Sequence, residues 1–177
     1  SDTTPDITIV GTDALTLEKS GPATMQVGTP AGFTLNVHNP STGTAWNPVI
    51  TDRLPHGATG GMCAAGPSHV VAQIFLADGV TPASAQVVEG TDFTVSFSGQ
   101  PSCEWQFSLL SSVGGLARDQ RLIVRYDLEL DLSTENGLVL ANVAGVTQWF
   151  SADPGAAGAA PRTYDRGLTD GTPGTLD

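Results

Sequence analysis

Apolar and polar residues alternate with a period of two along most of this chain, the signature of strands with one buried face. In residues 32–38, Phe33, Leu35 and Val37 fall on one side and Thr34, Asn36 and His38 on the other. Residues 92–98 repeat the pattern with Phe93, Val95 and Phe97, and Cys103, Trp105, Phe107 and Leu109 line a further face. The cleanest run is 121–132, with Leu122, Val124, Tyr126, Leu128, Leu130 and Leu132 inward and Ile123, Arg125, Asp127, Glu129 and Asp131 outward. Further strands are predicted at residues 7–10, 49–54, 70–76, 86–89 and 138–150. Asn39-Pro40, Asn47-Pro48, Asp78-Gly79, Glu89-Gly90 and Asn136-Gly137 supply the turns between them. Helical periodicity is nearly absent, and the one candidate is a short turn at 116–120. Many short alternating strands close most readily into an all-β, immunoglobulin-like antiparallel β-sandwich.

Three polar residues break this pattern by falling on apolar faces. Lys19, the single lysine of the chain, shares a side with Leu15 and Leu17 while Thr16 and Glu18 oppose it. Asp52 falls beside Ile50 and Leu54, and Asn142 beside Leu138, Leu140 and Ala144. An unpaired charge at such a position is costly, so it either pairs, reaches the surface at a strand end, or takes part in chemistry. An amine, an acid and a carboxamide facing one interior have a specific chemistry open to them. A neutral lysine amine attacks the carboxamide carbon while a protonated acid polarises the carbonyl and shuttles protons, leaving an amide crosslink and free ammonia. An apolar site favours the uncharged reactants, and folding supplies the proximity. The alternative is an ion pair between Lys19 and Asp52 with no covalent step.

Composition narrows the setting. The chain has 177 residues, which suits one domain, and its net charge of −11 argues against nucleic acid or an anionic membrane as partner. No apolar run is long enough to span a bilayer, so no direct membrane insertion is expected. The 2 cysteines, Cys63 and Cys103, lack companions at zinc-ligand spacing and read as one disulfide, with two buried thiols as the alternative. A disulfide implies an oxidising compartment, at the cell surface or beyond it.

No Gly-x-Ser-x-Gly elbow, His-Glu-x-x-His pair or glycine-rich phosphate loop occurs, so a turnover enzyme, a metal and a cofactor are not expected. His38, His56 and His69 are scattered and read as strand-face or turn residues. Asp165, Asp170 and Asp177 are candidate calcium ligands, but their spacing matches no EF-hand loop. Of the tryptophans, Trp105 reads as buried and Trp149 as the close of a strand, which leaves Trp46 as one candidate exposed ring for a ligand-binding face.

The runs 27–40 and 44–57, followed by Leu140-Ala141-Asn142-Val143-Ala144, resemble the repeat domain of large bacterial surface proteins, a module similar to isopeptide-forming fimbrial and adhesin domains. The resemblance covers residues 15–147 in order, and its Thr-Asp-x-Leu-Pro and Asn-x-Ala pieces are more specific together than singly. It implies an immunoglobulin-like sandwich in a secreted, multi-repeat chain, with Lys19, Asp52 and Asn142 at the lysine, acid and asparagine of the crosslinking members. The Cys63 and Cys103 pair departs from many crosslinked Gram-positive modules and points to an envelope protein of another lineage. The expected organisation is a linker and leading strand at 1–13, a sandwich repeat domain at 14–151, and a Gly/Ala/Pro-rich arm or linker at 152–177 leading to the next domain. The expected role is a structural spacer or stalk repeat on the bacterial surface, whose partners are neighbouring repeats. The alternative is a module that binds a glycan or protein, or that calcium rigidifies.

Overall fold

The computed structural model describes residues 15–168; the expected strand at 7–10, the segment 1–13, and Asp170 and Asp177 lie outside the described residues. Two antiparallel sheets face each other. One is built from β1 (Thr16–Ser20), β2 (Ala31–His38), β9 (Arg121–Leu128) and β6 (Ser68–Phe75), in the order β1-β2-β9-β6. The other holds β3 (Trp46–Arg53), β7 (Phe93–Ser98), β8 (Glu104–Leu109), β10 (Val143–Phe150) and β11 (Thr163–Asp165), in the order β11-β10-β3-β8-β7. A two-stranded hairpin of β4 (His56–Gly57) and β5 (Gly60–Gly61) stands apart, and a single 3₁₀ turn covers Ser111–Val113.

The alternation read from the sequence is what fills the space between the sheets. Leu17, Leu35, Val37, Leu122, Val124, Tyr126 and Leu128 enter it from one side; Ile50, Trp105, Phe107, Leu109, Val146 and Trp149 enter it from the other. Fully burying a large apolar side chain contributes about 1.5–3 kcal/mol, so these interdigitated faces supply the driving force for closure. The Cys63 and Cys103 sulfurs form a disulfide that ties the segment after β5 to the start of β8. Closing its 40-residue loop stabilises the fold by about 4 kcal/mol on the chain-entropy account.

Several strands are shorter than their patterns predict, each for a reason of competition for backbone partners. β9 stops at Leu128, and Leu132 is 86 % exposed rather than inward. The chain there leaves the sheet to bond the β4–β5 hairpin, through Asp131 N–H to the Gly61 carbonyl and Glu135 N–H to the Thr59 carbonyl. The expected strand at 138–150 begins only at Val143, because the preceding residues turn, with Leu138 N–H on the Glu135 carbonyl. Val139 is consequently 92 % exposed. Residues 86–89 make isolated bridges from Val87 to Ala72 and from Glu89 to Phe93 instead of a strand. Ile123 does face outward yet is buried, since the turn at Gly79 lies against it. The turn at Arg118 and Asp119 is not helical; the single 3₁₀ turn precedes it at Ser111–Val113.

Residues 151–162 loop back so that β11 can pair with β10, covering what would otherwise be an open sheet edge. Tyr164 stacks on Trp149 at 5.3 Å, and Arg166 lies over the Trp149 ring and donates to the Leu15 carbonyl at 3.1 Å. Leu15 opposes Arg166 while Lys19 opposes Asp52, so β1 runs antiparallel to β10 and in the same sense as β11.

Candidate functional site

Lys19 and Asp52 meet between the two sheets. β1 carries Lys19 after Leu15 and Leu17, both buried, so the strand's alternation aims the aliphatic stem into the core. β3 carries Asp52 on the face of Ile50, and Asp52 is fully buried. The Lys19 Nζ donates to Asp52 Oδ1 at 2.6 Å, so the ion pair bridges one sheet to the other. Aromatic rings enclose it. The Lys19 ammonium sits 5.6 Å from the Phe33 ring centre, Phe33 stacks on Tyr126, and Trp105 meets Tyr126 edge-on at 4.7 Å. Gly21 follows β1 at a place where a β-carbon would lie 2.5 Å from the Phe33 ring, so only a glycine lets the chain leave β1 across that ring.

Two residues that sequence reasoning did not assign to the site complete it. The Trp105 indole N–H donates to Asp52 Oδ2 at 2.9 Å, and the Tyr126 hydroxyl donates to the same oxygen at 2.5 Å. Register explains both. Trp105 is the cross-strand partner of Asp52 in the β3/β8 pair, and Tyr126 comes from β9 in the facing sheet. Their inward placement was legible from alternation, but no local signal in the sequence marks an indole or a phenol as a partner of Asp52.

Burial lowers the Lys19 pKa from its usual value, and the Asp52 charge and hydrogen bond oppose this. Burial, reinforced by the Asp52 charge, raises the Tyr126 pKa, so the phenol keeps its proton and remains a donor. The environment therefore eases deprotonation of the amine, which is the form able to act as a nucleophile.

Asn142 is the third polar residue singled out by the sequence. It immediately precedes β10, two residues before Ala144, which lies opposite Asp52 in the β3/β10 register. Its side-chain Nδ2 and Oδ1 are both buried and neither has a hydrogen-bond partner. A carboxamide left unpaired in a core costs roughly 1–3 kcal/mol per group, which makes this an exception requiring an explanation. Amine, carboxylate and orphaned amide thus belong to neighbouring segments, β1, β3 and the start of β10, and β1 packs against β10.

The remaining candidates lie elsewhere. The Cys63 and Cys103 thiols are joined, as the disulfide reading expects. Trp46 is half-buried rather than an exposed ring. Its backbone pairs with Phe150 and the adjacent Ala45 bridges Leu116, which holds the ring against the sandwich. Exposed His69 bonds Asp127 across the β6/β9 pair, while His38 and His56 lie on separate strands. No group of three metal-ligating side chains occurs among the described residues. Asp165 accepts from Gln148 in the β10/β11 pair. No helix of the described residues is long and apolar enough to cross a membrane.

No protein-family model matches the chain, and no curated protein matches it by sequence. Among solved structures, it is similar to the pilus backbone protein RrgB of Streptococcus pneumoniae, with a TM-score of 0.52 and 11 % identity over 77 % of this chain and 52 % of that one. It spans about half the length of that structure. A collagen-binding domain from a Staphylococcus aureus adhesin also matches, at TM-score 0.41 and 11 % identity over 85 % of this chain and 94 % of the other. At such identity the likeness bears on architecture alone, and it agrees with the immunoglobulin-like antiparallel β-sandwich that the sheet topology gives.

Proposed function

We propose that the chain is a structural module of a bacterial surface or secreted adhesin-like protein, stiffened by an internal Lys19–Asn142 isopeptide bond that Asp52 helps to form. The observation that carries this reading is the Asn142 amide, buried with no partner two residues before Ala144, which lies opposite Asp52 of the inter-sheet Lys19–Asp52 pair. The reaction balances without any outside reagent. The Lys19 ammonium gives a proton to Asp52, the neutral amine attacks Asn142 Cγ, and the acid protonates the developing oxyanion. The second amine proton passes through Asp52 to the leaving nitrogen, the C–N bond of the carboxamide breaks as the carbonyl re-forms, and the hydroxyl proton leaves through Asp52 with the ammonia, which departs as ammonium. The event happens once per chain and needs neither metal nor cofactor.

The crosslink would join the first strand of one sheet to the last long strand of the other, and tension entering at β1 would pass directly to β10. Residues 20–141 would then lie outside the loaded path. A role as a spacer or stalk repeat beside like modules follows, and the acidic surface would keep such repeats soluble and apart. The disulfide supports an oxidising, extracellular setting. Intact mass of the reduced, denatured chain tests the proposal. The expected mass is one ammonia below the sequence mass, restored to the full value by Asp52→Ala in a chain that still folds. Full mass in the unaltered chain overturns it and leaves the ion pair alone. Tight binding of a glycan or protein by a chain of full mass would favour a recognition module instead.

A further inference from the structure

Asp52 receives three donors, and they are divided unequally between its oxygens. Oδ1 takes the Lys19 ammonium alone, whereas Oδ2 takes both the Trp105 indole and the Tyr126 hydroxyl. Two neutral donors occupy both lone-pair directions of a carboxylate oxygen, leaving it no acceptor capacity for a further proton. We infer that Trp105 and Tyr126 are positioning residues that pin Asp52 by Oδ2, so that Oδ1 alone carries protons between the Lys19 amine and the Asn142 amide.

This rests on the crosslinking role proposed above and assigns the atom through which it runs. Both donors come from rigid elements. Trp105 sits on β8 and Tyr126 on β9, both interior strands of their sheets, each 1 % exposed, and each is packed against the other. A carboxylate free to rotate about its Cβ–Cγ bond would exchange its two oxygens and lose the alignment that proton transfer requires. The pin removes that freedom. It also draws one donor from each sheet, so Asp52 reaches its working orientation only after the sandwich has closed. Crosslinking is thereby placed after folding, when an amide bond cannot trap a misregistered chain.

The test follows ammonia loss in time. Newly synthesised full-length chain is folded in buffers of stated pH, quenched into denaturant, reduced and weighed. Tyr126→Phe removes one hydroxyl and leaves the ring, and is expected to slow ammonia loss at least tenfold while near-ultraviolet circular dichroism stays native. Trp105→Phe is expected to slow it similarly. Leu116→Ala, a core change beyond the other end of β3, is expected to lower stability without slowing ammonia loss. If the unaltered chain crosslinks and Tyr126→Phe matches it in rate, the pin is wrong while the crosslink stands. If the unaltered chain never loses ammonia, both fall.

Discussion

Two asparagine side-chain amides are buried in this sandwich, and they stand in opposite conditions. Asn39, fully buried at the end of β2, donates through Nδ2 to the Gly43 carbonyl at 2.8 Å and the Leu116 carbonyl at 2.7 Å. Its Oδ1 accepts from the Ser41 N–H and the Ser41 hydroxyl. All four hydrogen-bonding directions of that amide are used. Asn142, at the start of β10, uses none. The same side chain is therefore a lock in one region and an unexplained expense in the other. The proposed crosslink accounts for this contrast, since it would turn the orphaned amide of Asn142 into a bond.

The largest effect is expected from Lys19→Ala. It leaves Asp52 buried without its cation, which costs about 3–5 kcal/mol in a broken buried pair, and it removes the nucleophile as well. Chemical denaturation and intact mass together check this: the midpoint falls steeply and the mass defect of one ammonia disappears. Asn39→Ala should come next, at about 3 kcal/mol, because it strands the Gly43 and Leu116 carbonyls. Its distinguishing outcome is that ammonia loss goes to completion as before, since the lock lies outside the site. The smallest effect is expected for Asn142→Ala in a chain that cannot crosslink, with the ion pair replaced by Lys19→Met and Asp52→Leu. There the substitution removes an amide that has no partner, and the urea midpoint should hold or rise, within about 1 kcal/mol. A large loss of stability would show that Asn142 holds something in place by hydrogen bonding, and the contrast with Asn39 would collapse.

Sequence reading singled out the polar residues on apolar faces but not how they are assembled. Lys19, Asp52 and Asn142 were legible because alternation is a local property, and a polar residue on an apolar face violates it visibly. Asn39 was legible only as half of a turn signal, Asn39-Pro40. That its amide closes the loop against Leu116, 77 residues away, depends on the Ala45–Leu116 bridge, which no local pattern encodes. Trp46 shows the reverse error: a ring next to a turn signal reads as exposed, but the pairing of β3 with β10 draws it half inside.

By itself the chain determined most of the strands, most of their buried faces, and the inward turn of Lys19 and Asp52, because each follows from the two-residue period of an extended backbone. The tertiary structure decided the rest. Where β9 ends and where β10 begins were settled by competition with the β4–β5 hairpin and a local turn for the same backbone groups. That Oδ2 of Asp52 holds an indole and a phenol from opposite sheets was settled by register and sheet packing, which bring together residues 53 and 74 positions apart. Such contacts form only when distant segments are ordered at once, and the information for them lies in the whole pattern rather than in any stretch of it.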